Sequence, residues 1–338
     1  MNECGKQLRT TVIGVASAAA TLYWLAAAPA AAQQVWQPEK AVEIVVPSGP
    51  GGGTDQLGRL IQRIWQEKRV VEVPISVVNK QGGGGAVALT YLNQHSGDAH
   101  YVEAVSAVLL TNDIVGRSKF SYTEFTPIAL LNSEYIAMAV KNDSPLKNLQ
   151  DLMARLKQDP GALSIAVGTS LGGANHIAAA VIARAAGADP KKLKTVVFKS
   201  SAESAVALLG GHVSVVASSA SLLLPHVSSG ALRVLGISAP KRLGGPLSRI
   251  PTLREQGVDA VVDNFRLMIG PGGLTPAQIA YWDGVLGKLA RDEEWKKDLE
   301  KNLWENTYRN SRDTRKYLDE QYAELKTELR EAGLVKSK

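Results

Sequence analysis

The stretch Ala166–Ala180, AVGTSLGGANHIAAA, runs from apolar residues into an alanine-rich segment through a loop carrying Gly168-x-Ser170-x-Gly172. In α/β-hydrolases this pentapeptide is the tight strand-to-helix turn that exposes a catalytic serine. The same pattern also suits a loop that offers backbone N–H groups and hydroxyls to a bound anion, because a helix start leaves several donors unpaired. A hydrolase triad of that type needs an acid and then a histidine after the serine. His212 and His226 follow, but only Asp189 and Glu203 lie between Ser170 and either of them, too little chain for the intervening strands. No H-G-G-G-type oxyanion loop precedes Ser170, and His176 falls one turn into the expected helix, where it supports or caps the loop. A secreted hydrolase using Ser170 is the enzymatic alternative; the simpler reading is a ligand-holding loop.

The pattern recurs outward from this stretch. VEIVVPSGPGGGTD (42–55) passes from a strand at Glu43–Val46 through a Pro/Gly loop into a helix. Leu57, Leu60, Ile61, Ile64 and Trp65 recur there at helical spacing, with Thr54 as the expected N-cap and Asp55 in the first turn. ISVVNKQGGGGAVALTYL (75–92) does the same through four glycines, Gly82–Gly85, which let the backbone approach a ligand or simply supply positive φ. Gly83-x-Gly85-x-x-Ala88 formally matches a dinucleotide fingerprint with Glu103 downstream, but a glycine run produces such a match by accident, and no cofactor is expected. TVVFKSSAESAVALLGG (195–211) places a capping box at Ser200-x-x-Glu203, before a helix that Gly210 ends. HVSVVASSAS (212–221) gives a strand running into serines, and LRVLGIS (232–238) gives another. From Pro276 onward the chain is charged and helix-patterned, with Trp282, Leu286, Leu289, Trp295 and Leu299 spaced for a core.

Short strands alternating with helices predict an α/β architecture with largely parallel strands. The first 32 residues read as a secretory signal peptide: Lys6 and Arg9, an apolar run from Val12 to Ala28, and the Ala30-Ala31-Ala32 cleavage pattern. About 306 residues would remain from Gln33, a length at which two lobes are expected. Cys4 is the only cysteine and lies in the leader, so thiol chemistry, disulfides and cysteine–zinc sites are not expected, as suits an oxidising compartment. The histidines have no metal-ligand spacing, and no metal is expected. The formal charge is +6, of which Glu3, Lys6 and Arg9 carry a net +1; the +5 left is spread out, favouring small anions over nucleic acid.

Six segments, VEIVVPSGPGGGTDQLGRLIQ, VVNKQGGGGAVALTYL, YTEFTPIALLNSEYIAMAV, AVGTSLGGANHIAAA, FKSSAESAVALLGGHVSVV and DNFRLMIGPGGLTPAQIAYW, resemble, in this order, the solute-binding receptors of tripartite tricarboxylate transporters. The resemblance covers essentially the whole mature chain. It implies an α/β, two-lobed periplasmic-binding-protein fold of type II with the ligand cleft between lobes: residues 33–134 with 239–338 in one, 135–238 in the other. It further implies a monomer in the periplasm that binds a small carboxylate and delivers it to integral-membrane permease subunits; a sensor serving a signalling partner is the non-transport alternative.

Carried over by position, Ser48, Gly49, Gly51, Gly52, Thr54 and Asp55 form one jaw, and Gly168, Thr169, Ser170 and Gly172 the other. The resemblance also implies that Ser106, on VEAVSAV (102–108), faces the same cleft. The sequence departs from the family pattern at Ser214 and Ser218, where relatives commonly carry acidic residues; Ser218 remains a candidate for the ligand's distal end. Arg266 lies in a segment like the NWRG of citrate-type members, either pairing with a ligand carboxylate or bracing the hinge.

Overall fold

The computed structural model describes residues 36–168, 170–331 and 334–335. The expected signal peptide and Thr169 therefore lie outside the described residues.

The strands, in chain order, are β1 (Val42–Val46), β2 (Ile75–Asn79), β3 (Tyr101–Ser106), β4 (Thr126–Ser133), β5 (Ile136–Lys141), β6 (Ser164–Gly168), β7 (Lys194–Phe198), β8 (Val215–Ser219), β9 (Leu232–Ile237), β10 (Arg266–Gly270) and β11 (Glu305–Arg309). The helices are α1 (Gly53–Glu67), α2 (Ala86–Asn93), α3 (Val108–Ile114), α4 (Leu149–Gln158), α5 (Ala174–Ala185), α6 (Ser201–Leu209), α7 (Ala220–Ser228), α8 (Pro276–Arg291), α9 (Glu293–Lys301) and α10 (Ser311–Glu331). The strands form two sheets, ordered β11-β4-β10-β3-β1-β2 and β7-β6-β8-β5-β9.

Each sheet repeats one plan. A strand that feeds a glycine loop, β1 or β6, lies between two parallel neighbours. The other half is antiparallel, through β10 against β3 and β4, and β5 against β8 and β9. The expectation of largely parallel strands is corrected here: β5 and β10 enter their sheets directly from the other one, without a helical crossover, and so run opposite to their neighbours.

The chain crosses between the sheets at 133–136 and again between Ile237 and Arg266. The two crossings are tied together: Ile136 N–H donates to Ser238 Oγ (2.9 Å), Ser238 N–H to the Ile136 carbonyl (2.8 Å), and Asn264 N–H to the Glu134 carbonyl (2.9 Å).

The helix patterns behave as their periodicity predicts. Leu57, Ile61, Ile64 and Trp65 of α1 are buried, and Trp65 stacks on Trp282 of α8 with ring centroids 5.5 Å apart. Trp282, Leu286, Leu289, Trp295 and Leu299 are all core residues. Two details differ. Helix α1 starts one residue before Thr54, with Gly52 as N-cap. At α6 the Ser200 side chain accepts the Glu203 N–H, but the Glu203 carboxylate turns to the Lys199 N–H, leaving the box half formed. The strand β11, inside what reads as a helical tail, was not expected; its half-exposed, polar ENTYR has no apolar alternation to announce it.

Candidate functional site

A cleft opens where the C-terminal ends of β1 and β6 face each other, and the loops after them lead into α1 and α5. Both helices have glycine N-caps, Gly52 and Gly173, and neither has a side-chain cap. Two helix N-termini without side-chain caps thus face one space, an arrangement that favours an anion. The lining includes Ser48, Thr54, Ser106, Gly168 and Ser170, five of the residues expected from the sequence. The space is small, with room for roughly three waters.

The remaining expected residues have other positions. Asp55 is buried and turned into its own loop: it accepts from Gly51 N–H (2.9 Å) and Asn79 Nδ2 (2.9 Å) and is paired with Arg59. Burial pushes its carboxyl up, but those hydrogen bonds outweigh burial and leave its pKa below the ordinary value. Gly49, Gly51, Gly52 and Gly172 shape the loops rather than line the space. Gly51 and Gly172 adopt φ of +74° and +82°, and a Cβ on Gly52 would lie 2.7 Å from Ser48 Oγ. Ser218 is fully buried on β8, outside the cleft lining, with its hydroxyl unpartnered. The four-glycine loop does not line the cleft either. It backs the jaw: Gly84 lies where a Cβ would come within 2.9 Å of Ser170 Cβ, and Asn112 Nδ2 donates to the Gly84 carbonyl at 2.6 Å.

The hydrolase alternative fails on geometry. Ser170 Oγ is buried and has no hydrogen-bond partner, so no base is poised on it. The nearby His176 instead accepts the Gly172 N–H on Nδ1 at 2.9 Å. Burial, aided by the Arg117 charge, lowers its pKa to about 4, so it stays neutral and holds the jaw. Among the described residues no group of three or more His, Cys, Asp or Glu is placed to hold a metal ion.

Sequence reasoning missed Glu134, Asn175, Ser201 and Asn264, all of which line the cleft. Asn175 donates to Ser201 Oγ (3.1 Å), and a Cβ on Gly168 would lie 2.5 Å from Ser201 N, so β6 and α6 touch through a glycine. Glu134 sits at the first crossing and is 2% exposed. It accepts from Asn264 Nδ2 (2.8 Å), Trp304 Nε1 (3.1 Å), Ser219 Oγ and Arg266 Nη2. Arg266 is 1% exposed, lies in the cleft wall, and carries the Trp304 ring at 4.6 Å from its guanidinium carbon. Its Nε and Nη1 have no partner. The bracing alternative for Arg266 is therefore real, since it is ion-paired at the crossing, and two of its nitrogens remain free for something else. A sequence signal existed only for Arg266; Glu134 reads as an ordinary inter-strand residue until the two crossings are brought side by side.

Comparison with known proteins agrees with this geometry. The family model described as "Tripartite tricarboxylate transporter family receptor" matches residues 61–334. A Cupriavidus necator relative, "UPF0065 protein in gbd 5'region", is 26% identical over 325 residues, covering 96% of this chain and 97% of its own length. Among solved structures, periplasmic binding protein BugD superposes with a TM-score of 0.80 at 22% identity, over 89% of this chain and 100% of BugD. An R. palustris protein described with adipate superposes at 0.81 and 23% identity, over 88% and 98%. These structures show the two-lobed periplasmic-binding-protein fold, and no described helix is long and apolar enough to cross a membrane. With four-fifths of its residues inside the family match, the chain belongs to the tripartite tricarboxylate transporter receptor family, a family of binding receptors.

Proposed function

We propose that the protein is exported with cleavage near Ala32 and works as a periplasmic monomer. In this reading it captures a small di- or tricarboxylate between lobes 33–134 with 239–338 and 135–238, and delivers it to integral-membrane permease subunits. The observation that carries the reading is the convergence of two uncapped helix N-termini and the buried Arg266 on one cleft. The crossings at Glu134 and Asn264, tied by hydrogen bonds, are the natural hinge for lobe closure. The adipate described with the R. palustris relative fits the same class of ligand.

A ligand that binds only the folded state stabilises it by about 2.7 kcal/mol at one hundred times its dissociation constant. For a chain of this size the melting temperature should rise by roughly 5 °C or more. Thermal unfolding should be followed with succinate, adipate, citrate, glutamate and aromatic carboxylates beside their amides or esters, at matched ionic strength. Free acids are expected to give the shift; a screen in which neutral sugars or amides bind and no acid does would remove the reading.

Within the jaws, Ser170→Ala should weaken ligand binding by about 0.5–1.5 kcal/mol, the worth of one neutral hydrogen bond. Gly51→Val and Gly172→Val should weaken it more. A β-branched residue at φ of +74° or +82° forces the loop to re-form and misaims the N–H groups. Titration calorimetry on the three variants checks the order, and full affinity in both valine variants would rule out the amide cradle.

A further inference from the structure

A second recessed surface lies outside the cleft, along α2. Val87, Thr90, Tyr91 and Gln94 fall at i, i+3, i+4 and i+7 of the helix turn and share one face, and residues 117–120, after α3, form the opposite bank of a groove. Leu89 and Leu92 of the same helix are buried, whereas Val87 is left 46% exposed on the groove wall. The rings of Tyr91 and Phe120 extend the apolar surface. The groove follows about 10 Å of helix at 1.5 Å per residue. Val87, Thr90 and Gln94 are exposed, so it is open to solvent along that length.

Three cations stand around this face, Lys80 just after β2 and Arg117 and Lys119 on the far bank, and among the described residues no carboxylate lines it. The Lys80 ammonium sits 3.9 Å from the centre of the Tyr91 ring, and Arg117 Nη1 donates to the Leu171 carbonyl at 2.6 Å. A ring face and a carbonyl attract a cation but cancel no charge, and like charges gathered at one face repel. Carboxylates of a partner would relieve that repulsion, while its apolar side chains would cover Val87 and Phe120. A small-molecule site normally encloses about 70–90% of its ligand, which a groove open along one side does not do. The apolar wall is recessed between helix and loop, so a narrow segment reaches it and a flat lipid surface does not.

We propose that this groove docks a partner protein through a segment that presents acid groups beside apolar side chains. The groove adjoins the cleft without being part of it. The Leu171 carbonyl belongs to the loop after β6, so a docked segment touches, in Arg117, a residue that bridges the mouth of the cleft. On the receptor reading above, on which the partner's role rests, the source of that segment is a permease subunit.

Fluorescence anisotropy should be followed with three labelled peptides of equal length, amidated so that no terminal carboxylate enters the cleft: alternating glutamate and leucine, alternating glutamine and leucine, and alternating glutamate and serine. The first should bind about fivefold or more tighter than either of the others, since it alone meets both the cations and the apolar wall. Val87→Glu/Lys119→Glu should weaken it about tenfold or more, and Arg117→Ala about threefold. Lys157→Glu, an equal charge change on α4, should leave it unchanged. Circular dichroism checks the folds, and Val87→Ser/Lys119→Gln replaces the double glutamate variant if that one unfolds. Equal binding of the three peptides, no binding of the first, or full binding in the groove variants overturns the proposal. Binding of phosphatidylglycerol vesicles at the groove without any peptide binding overturns it in favour of a membrane. The groove variants should keep the melting shift given by free acids. Failure of every acid to stabilise the wild type is a separate result that removes the receptor reading, and the peptide comparison still decides the groove.

Discussion

Arg266→Met is expected to destabilise the folded protein by about 3–5 kcal/mol, the range measured when one partner of a buried ion pair is removed and the other is left behind. Glu134 would stay 2% exposed, without the cation that pairs with it. Asn264, Trp304 and Ser219 would still donate to it, but three neutral donors do not cancel a full charge. The double variant Glu134→Gln/Arg266→Met should recover most of the loss, because no unpaired charge then remains. A double-mutant cycle by denaturant unfolding checks this. If the single variant is as stable as the double, the pair contributes little to the crossing and the account of Glu134 as an anchored charge fails.

Glu103→Met should do the opposite and stabilise the protein, increasingly as pH rises. Glu103 is 0% exposed on β3, beside Val45 and Ile269, and neither carboxylate oxygen has a partner. Burial alone pushes its pKa up from 4.5 to about 8. The sign follows from proton counting. Between pH 4.5 and 8 the folded state keeps a proton that the unfolded chain releases, so this group's contribution to stability is fully present below 4.5 and is lost as pH rises through 8. At about 1.4 kcal/mol per unit the loss reaches several kcal/mol. Methionine has similar length and no ionisable group, so its advantage should be smallest near pH 4 and largest near pH 8, where the melting temperature should rise by roughly 5–15 °C. Asp263, raised to about 7 chiefly by burial, slopes the same way and will keep some pH dependence in the variant. Melting curves at pH 4, 6 and 8 decide it; an advantage independent of pH would mean that Glu103 ionises freely in the fold.

What the sequence by itself determined was local and repetitive. The β1–α1 and β6–α5 units are legible because an apolar run, a glycine-rich loop and an amphipathic helix each leave a mark within about twenty residues, and their order matched the family they resemble. The cleft-lining positions Ser48, Thr54, Gly168 and Ser170 were legible for the same reason, since the glycines that free the backbone beside them are the signal. The tertiary structure alone decided the antiparallel half of each sheet, the placement of ENTYR as β11, and which loop glycines line the cleft. It also showed that the four-glycine loop buttresses Ser170 instead of touching the site. Above all it brought Glu134, Asn264, Trp304 and Arg266 together from positions up to 170 residues apart. No spacing encodes that cluster, because a buried charge is set by which elements close over it, and closure depends on two crossings that meet only after both sheets have formed.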